Sequence, residues 1–71
     1  MQDKLSAIAT RLQLWKAKAG DVDAAYQLGY WYEDGNLGLS KDANEAIRYY
    51  KQAQQLGHPE AAEALRKLQS K

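Results

Sequence analysis

Residues 20–28, Gly-Asp-Val-Asp-Ala-Ala-Tyr-Gln-Leu, return at residues 57–65 as Gly-His-Pro-Glu-Ala-Ala-Glu-Ala-Leu. Gly20 pairs with Gly57, Ala24 with Ala61, Ala25 with Ala62 and Leu28 with Leu65, each 37 residues apart, and Asp23 matches Glu60 in charge. Self-similarity at a spacing of roughly 20–50 residues is the mark of stacked helix-turn-helix units. Such units bury their apolar faces only against neighbours, which leaves the remaining surface for binding. The repeat therefore predicts an all-α protein built of antiparallel helical hairpins, and a binding role rather than catalysis.

Outward from this motif, the periodicity predicts four helices. The first covers about 4–18, with Leu5, Ile8, Leu12, Trp15 and Ala19 as its core stripe and Gly20 as its stop. Ala7, Thr10, Leu14 and Ala17 form a second stripe on the opposite side, a seam on which two copies could pair; monomer and homodimer both stay open. The second helix runs over about 22–33, capped by Asp21, with Ala24, Leu28, Trp31 and Tyr32 on one side. Gly29 inside it costs about 1 kcal/mol of helix propensity, which predicts close contact with another helix there. The Asp34-Gly35 turn and the loop 36–40 follow, where Leu37 or Leu39 can plug the end of the core.

Asp42 to Glu45 resembles a capping box that starts the third helix, which carries Ala43, Ala46, Ile47, Tyr50 and Ala53 inward. Tyr49 and Leu56 are expected to meet the next helix. The fourth helix is expected to have His58 at its cap, Pro59 at its first helical position, and Ala61, Leu65 and Leu68 as its apolar stripe.

The stretch from Gly20 to Gly57 resembles the Sel-one-like repeat family, a relative of the tetratricopeptide repeat. Ala24, Tyr26, Leu28, Gly29 and Tyr32 carry the likeness in the first helix of the repeat, and Gly35 and Gly38 in the loop. In the second helix the matching residues are Asp42, Ala46, Tyr49, Tyr50, Ala53 and Gly57. The resemblance implies a right-handed α-solenoid and a role in holding other proteins as adaptor or scaffold. It divides the single domain, 1–71, into a half-repeat helix at 4–19, a full repeat at 20–57 and a capping helix at 58–69. With one full repeat, a small regulatory, inhibitory or immunity-type binder fits better than a long scaffold. A structural piece or designed unit of a helical array is the alternative.

Composition bounds the remaining classes. Ten basic and nine acidic residues, interspersed, give a net charge of +1, which offers no general pull toward nucleic acid or acidic lipid. Arg11, Lys16, Lys18, Lys51, Arg66 and Lys67 would be the residues of a nucleic-acid reading, but carboxylates lie among them. No membrane span or signal peptide is evident, so the chain is expected in the cytoplasm. There is no cysteine, and His58 is the only histidine. A lone imidazole before Pro59 reads as a cap, not as a base or ligand, so no catalytic residue, metal or cofactor is expected. Glu33, Asp34, Asp42 and Glu45 bracket the glycine loop without the ligand spacing of a calcium loop.

The predicted protein-binding face is Asp23, Tyr26, Gln27, Tyr30, Glu33 and Asp34, of which Tyr30, Asp23, Glu33 and Asp34 fall on the side of the second helix away from its core stripe. Tyr26 is expected half-buried against the first helix. Exposed tyrosine among adaptable polar groups is common at interface hot spots, and the acidic flanks favour partners with lysine, arginine or apolar anchors. An ordinary solvated face with one surface tyrosine fits the same residues.

Overall fold

The computed structural model describes residues 2–35 and 39–70, with side chains from Ile8 onward. Four helices follow in order: α1 (Gln2–Lys18), α2 (Val22–Asp34), α3 (Ala43–Gln55) and α4 (Ala61–Gln69). Each packs on the next, most extensively α2 on α3. Among the described residues there is no strand, and no helix is long and apolar enough to cross a membrane.

The duplicated motif makes the same helix-ending turn twice. At the end of α1, Gly20 has φ 94° and donates to the Ala17 carbonyl at 3.0 Å, while Asp21 donates to Lys16 at 2.9 Å. At the end of α3, Gly57 has φ 98° and donates to Gln54 at 3.0 Å, while His58 donates to Ala53 at 2.9 Å. This paired bonding is the Schellman closure, and glycine is the residue that enters the left-handed region without a steric penalty. The new helix then starts differently in the two copies. The Asp21 carboxylate accepts the Ala24 N–H at 3.0 Å, whereas His58 Nδ1 accepts from Glu60 N–H at 3.1 Å, so α4 begins at Ala61, beyond Pro59.

Asp42 caps α3 by accepting from the N–H groups of Asn44 and Glu45. The reciprocal half of the predicted capping box is absent, because Glu45 accepts instead from Arg48 at 3.1 Å. Tyr49 lies ring-parallel to Tyr32 of α2 at 5.7 Å and packs on the cluster that holds Ala61 of α4, while Leu56 is 40% exposed. Leu39 is half-buried, while Asn36, Leu37 and Gly38 lie outside the described residues.

The core is made largely of alanine. Ala17, Ala24, Ala25, Leu28, Ala53 and Ala61 form one cluster; Ala46, Tyr50 and Leu65 form a second. Small side chains bring helix axes close, and Gly29 brings α2 closest. A Cβ placed on Gly29 would lie 2.6 Å from Cδ1 of Tyr50, whose ring therefore occupies the notch that the glycine leaves.

The two stripes of α1 are the reverse of those expected. Thr10 and Ala17 are buried and Leu14 packs on the core, whereas Ile8, Leu12 and Trp15 are exposed, Trp15 to 73%. The short turn at Gly20 and Asp21 sets the rotation of the helix and aims Ala17 at α2. Leu14 and Thr10, three and seven residues earlier, then fall on the same side. An indole at that contact would hold α1 away from the alanines of α2. The proposed self-association seam is thus corrected: Thr10, Leu14 and Ala17 are taken up inside the fold, and the side chain of Ala7 lies outside the described ones. The α1 end is tied further by Gln52 Nε2, which donates to the Ala17 carbonyl at 2.8 Å.

The notch can be tested directly. Overpacking a helix contact costs about 1–3 kcal/mol, against about 1 kcal/mol gained by removing a helical glycine. Gly29→Ala should therefore melt at or below the wild-type temperature, and Gly29→Leu at least about 5 °C lower. A Gly29→Leu protein with an unaltered melting temperature would contradict the close approach.

Candidate functional site: a tyrosine and carboxylate groove between α2 and α4

The predicted binding face divides in space. Tyr26, Tyr30 and Glu33 line a groove of about 380 Å³ whose opposite wall is α4, through Glu60, Glu63, Ala64 and Lys67, with Tyr50 of α3 at its floor. Gln27 sits apart, in a shallower depression shared with Tyr26, Tyr30 and Trp31. Asp23 is exposed at the His58 end, with Oδ1 3.9 Å from His58 Nε2, and Asp34 is exposed without lining the groove.

Each groove residue has a structural reason for its place. Tyr30 lies one turn beyond Tyr26 on α2 and stays 49% exposed, as its position away from the apolar stripe predicts. Tyr26 is half-buried and packs on both apolar clusters. Its ring stacks on His58 at 4.1 Å, within 6° of parallel, and tilts against Tyr50 at 5.4 Å. His58 thus does two things: its Nδ1 caps the turn into α4 and its ring braces Tyr26. Tyr50 is 1% exposed and donates its hydroxyl to Glu33 Oε1 at 2.8 Å.

The electrostatics follow from this arrangement. Burial, then the charges of Glu60, Glu33 and Glu63, push the Tyr26 phenol above its usual range. Burial, together with the hydrogen bond to Glu33 and its charge, pushes Tyr50 far higher. Both phenols stay neutral donors, and the groove is negative. Among the described residues no group of three or more His, Asp or Glu side chains is placed to hold a metal ion.

The sequence face missed Tyr50, Glu60, Glu63, Ala64 and Lys67. Tyr50 was read as core, which it also is. The α4 wall was available from the duplication itself: shifting Asp23, Tyr26 and Tyr30 by 37 residues lands on Glu60, Glu63 and Lys67.

Helices from two successive copies of one motif, flanking a groove, define a helical-repeat protein. Residues 22–58 match the Sel1 repeat model, and the chain belongs to the Sel1 repeat family. It is also 41% identical over 56 residues to DAP3-binding cell death enhancer 1 of Mus musculus, an alignment covering 78% of this chain and 11% of that protein. The chain thus corresponds to a small part of that relative. No solved structure matches it significantly.

The bond between Tyr50 and Glu33 makes a pH prediction. In the unfolded chain Tyr50 ionises near about pH 10, while in the fold it stays protonated well above that. The folded state then binds more protons, so stability is full below pH 10 and falls as pH rises beyond it. Tyr50→Phe should lose about 1–3 kcal/mol at neutral pH through the broken bond, yet show a shallower alkaline loss. Urea denaturation of both proteins from about pH 8 to 11 checks this, and parallel curves would contradict it.

Proposed function

We propose that this chain is a non-enzymatic protein-binding module that holds a segment of a partner in the groove between α2 and α4. The observation that carries the reading is Tyr30, an aromatic side chain left half-exposed over a concave surface walled by two helices. Aromatic anchors of this kind dominate interface energetics, because they present large rigid area at small entropic cost. Sel1 repeats are protein-interaction modules, and the mouse relative is by its name a DAP3-binding protein, which agrees with a binding role. Within this reading the chain acts as a small regulatory or inhibitory partner.

Tyr30→Ala should leave the thermal melt within about 0.5 kcal/mol of wild type, since the side chain is not in the core. The same change should reduce partner capture about tenfold or more, measured by quantitative mass spectrometry with both proteins as bait. Undiminished capture would reject the groove as the binding face, and loss of helical circular dichroism would place Tyr30 in the core instead.

A second reading is favoured by the exposed apolar stripe of α1, where Ile8 is 63% exposed alongside Leu12 and Trp15. In it, the chain is a structural element of a longer helical array, and another helix covers that stripe. Analytical ultracentrifugation with a thermal melt separates the two. A monomer that unfolds in one cooperative transition argues for a self-sufficient module, and a chain that self-associates or melts without cooperativity argues for the array.

A further inference from the structure

The groove has a chemical character that narrows its occupant. Three phenol rings converge on it: Tyr50 at the floor, Tyr26 on the α2 wall and Tyr30 half-open to solvent. The Tyr26 ring is held by its stack on His58, so its orientation is set before anything binds. Around the rings stand Glu33 from α2 and Glu60 and Glu63 from α4. Lys67 is the one cation among the described lining residues, and its ammonium lies 3.8 Å from Glu63. Within the groove three carboxylates stand against one ammonium beside aromatic surface, and Arg66 joins Glu33, Glu63 and Lys67 only in the adjoining depression. Glu60 adds a further point. It occupies the N-cap position of α4, yet its side chain makes no capping hydrogen bond, so helix capping does not account for the carboxylate there.

We propose that this groove binds a cationic side chain of the partner segment, arginine in preference to lysine. The inference rests on the groove being the binding face. An apolar anchor would desolvate the carboxylates without giving them a counter-charge, and an acidic one would be repelled. A guanidinium satisfies both features at once, because its flat face stacks on a tyrosine ring while its edge donates to a carboxylate. It is also less strongly hydrated than an ammonium, which favours it over lysine in a partly desolvated groove. Burial first, and then the charges of Glu60, Glu33 and Glu63, raise the Tyr26 phenol, so these carboxylates act on this ring.

Three blocked pentapeptides, Ala-Ala-X-Ala-Ala with X as Arg, Lys or Gln, test the idea by NMR titration of the 71-residue protein, reading the tyrosine ring signals. The arginine peptide should shift Tyr26 and Tyr30 most, the lysine peptide less, and the glutamine peptide hardly at all. Glu60→Gln should weaken the arginine peptide about two- to fivefold, and Lys67→Gln should strengthen it by a similar factor. That opposite response of two groove substitutions is something a purely structural disturbance would not produce. Equal shifts from the arginine and glutamine peptides, or no tyrosine shift at about 5 mM peptide, overturn the cation preference. If Tyr30→Ala still abolishes capture of the native partner in that case, the groove reading stands and only the cation preference falls. If Tyr30→Ala leaves capture intact, the groove reading itself falls.

Discussion

The structure depends on the approach of Gly29 to Tyr50. A side chain as small as a methyl on α2 would meet the Tyr50 ring at 2.6 Å, so the ring can lie flush against the helix only because residue 29 has none. That contact sets the spacing of α2 and α3, the most extensive pairing in the molecule. It also places the Tyr50 hydroxyl 2.8 Å from Glu33, where the core ends and the groove begins. One residue therefore serves as core filler on one edge and as groove floor on the other. The groove is a continuation of the packing rather than an addition to it.

The second organising constraint is the helix-ending turn, made twice with matching glycine angles and hydrogen bonds. Because the turn is so short, it fixes both the direction of the following helix and the rotation of the preceding one. α1 shows the result. Its largest apolar side chain, Trp15, stays in solvent while Ala17 is buried, since the turn and the alanine-lined face of α2 admit only a small residue.

That explains which features were legible in the sequence. Most helix ends were, because caps and glycine stops are local chemistry: Asp21, Asp42 and Gly57 act within a few residues of themselves; the start of α4 was not, since Glu60 and not His58 holds its N-cap position and Pro59 lies before the helix. Gly29 was legible too, since a helical glycine needs a packing reason. The phase of α1 was not, because hydrophobicity ranks Trp15 above Ala17, whereas the fold ranks fit above hydrophobicity. The α4 wall of the groove was written in the duplication, but a single-helix reading of Tyr26, Tyr30 and Glu33 could not show what stands opposite them. His58 was legible as part of the turn into α4 and illegible as a ring partner, since stacking joins residues 32 positions apart in sequence.

The repeat register carries one more implication. Thirty-seven residues beyond the buried Gly29 stands Arg66, exposed on α4, and beyond the buried Ala25 stands the exposed Ala62. The helix that mirrors α2 thus presents a long charged arm where its counterpart offers a vacancy. A helix laid against that flank of α4 would meet a guanidinium arm where α3 meets a notch on α2.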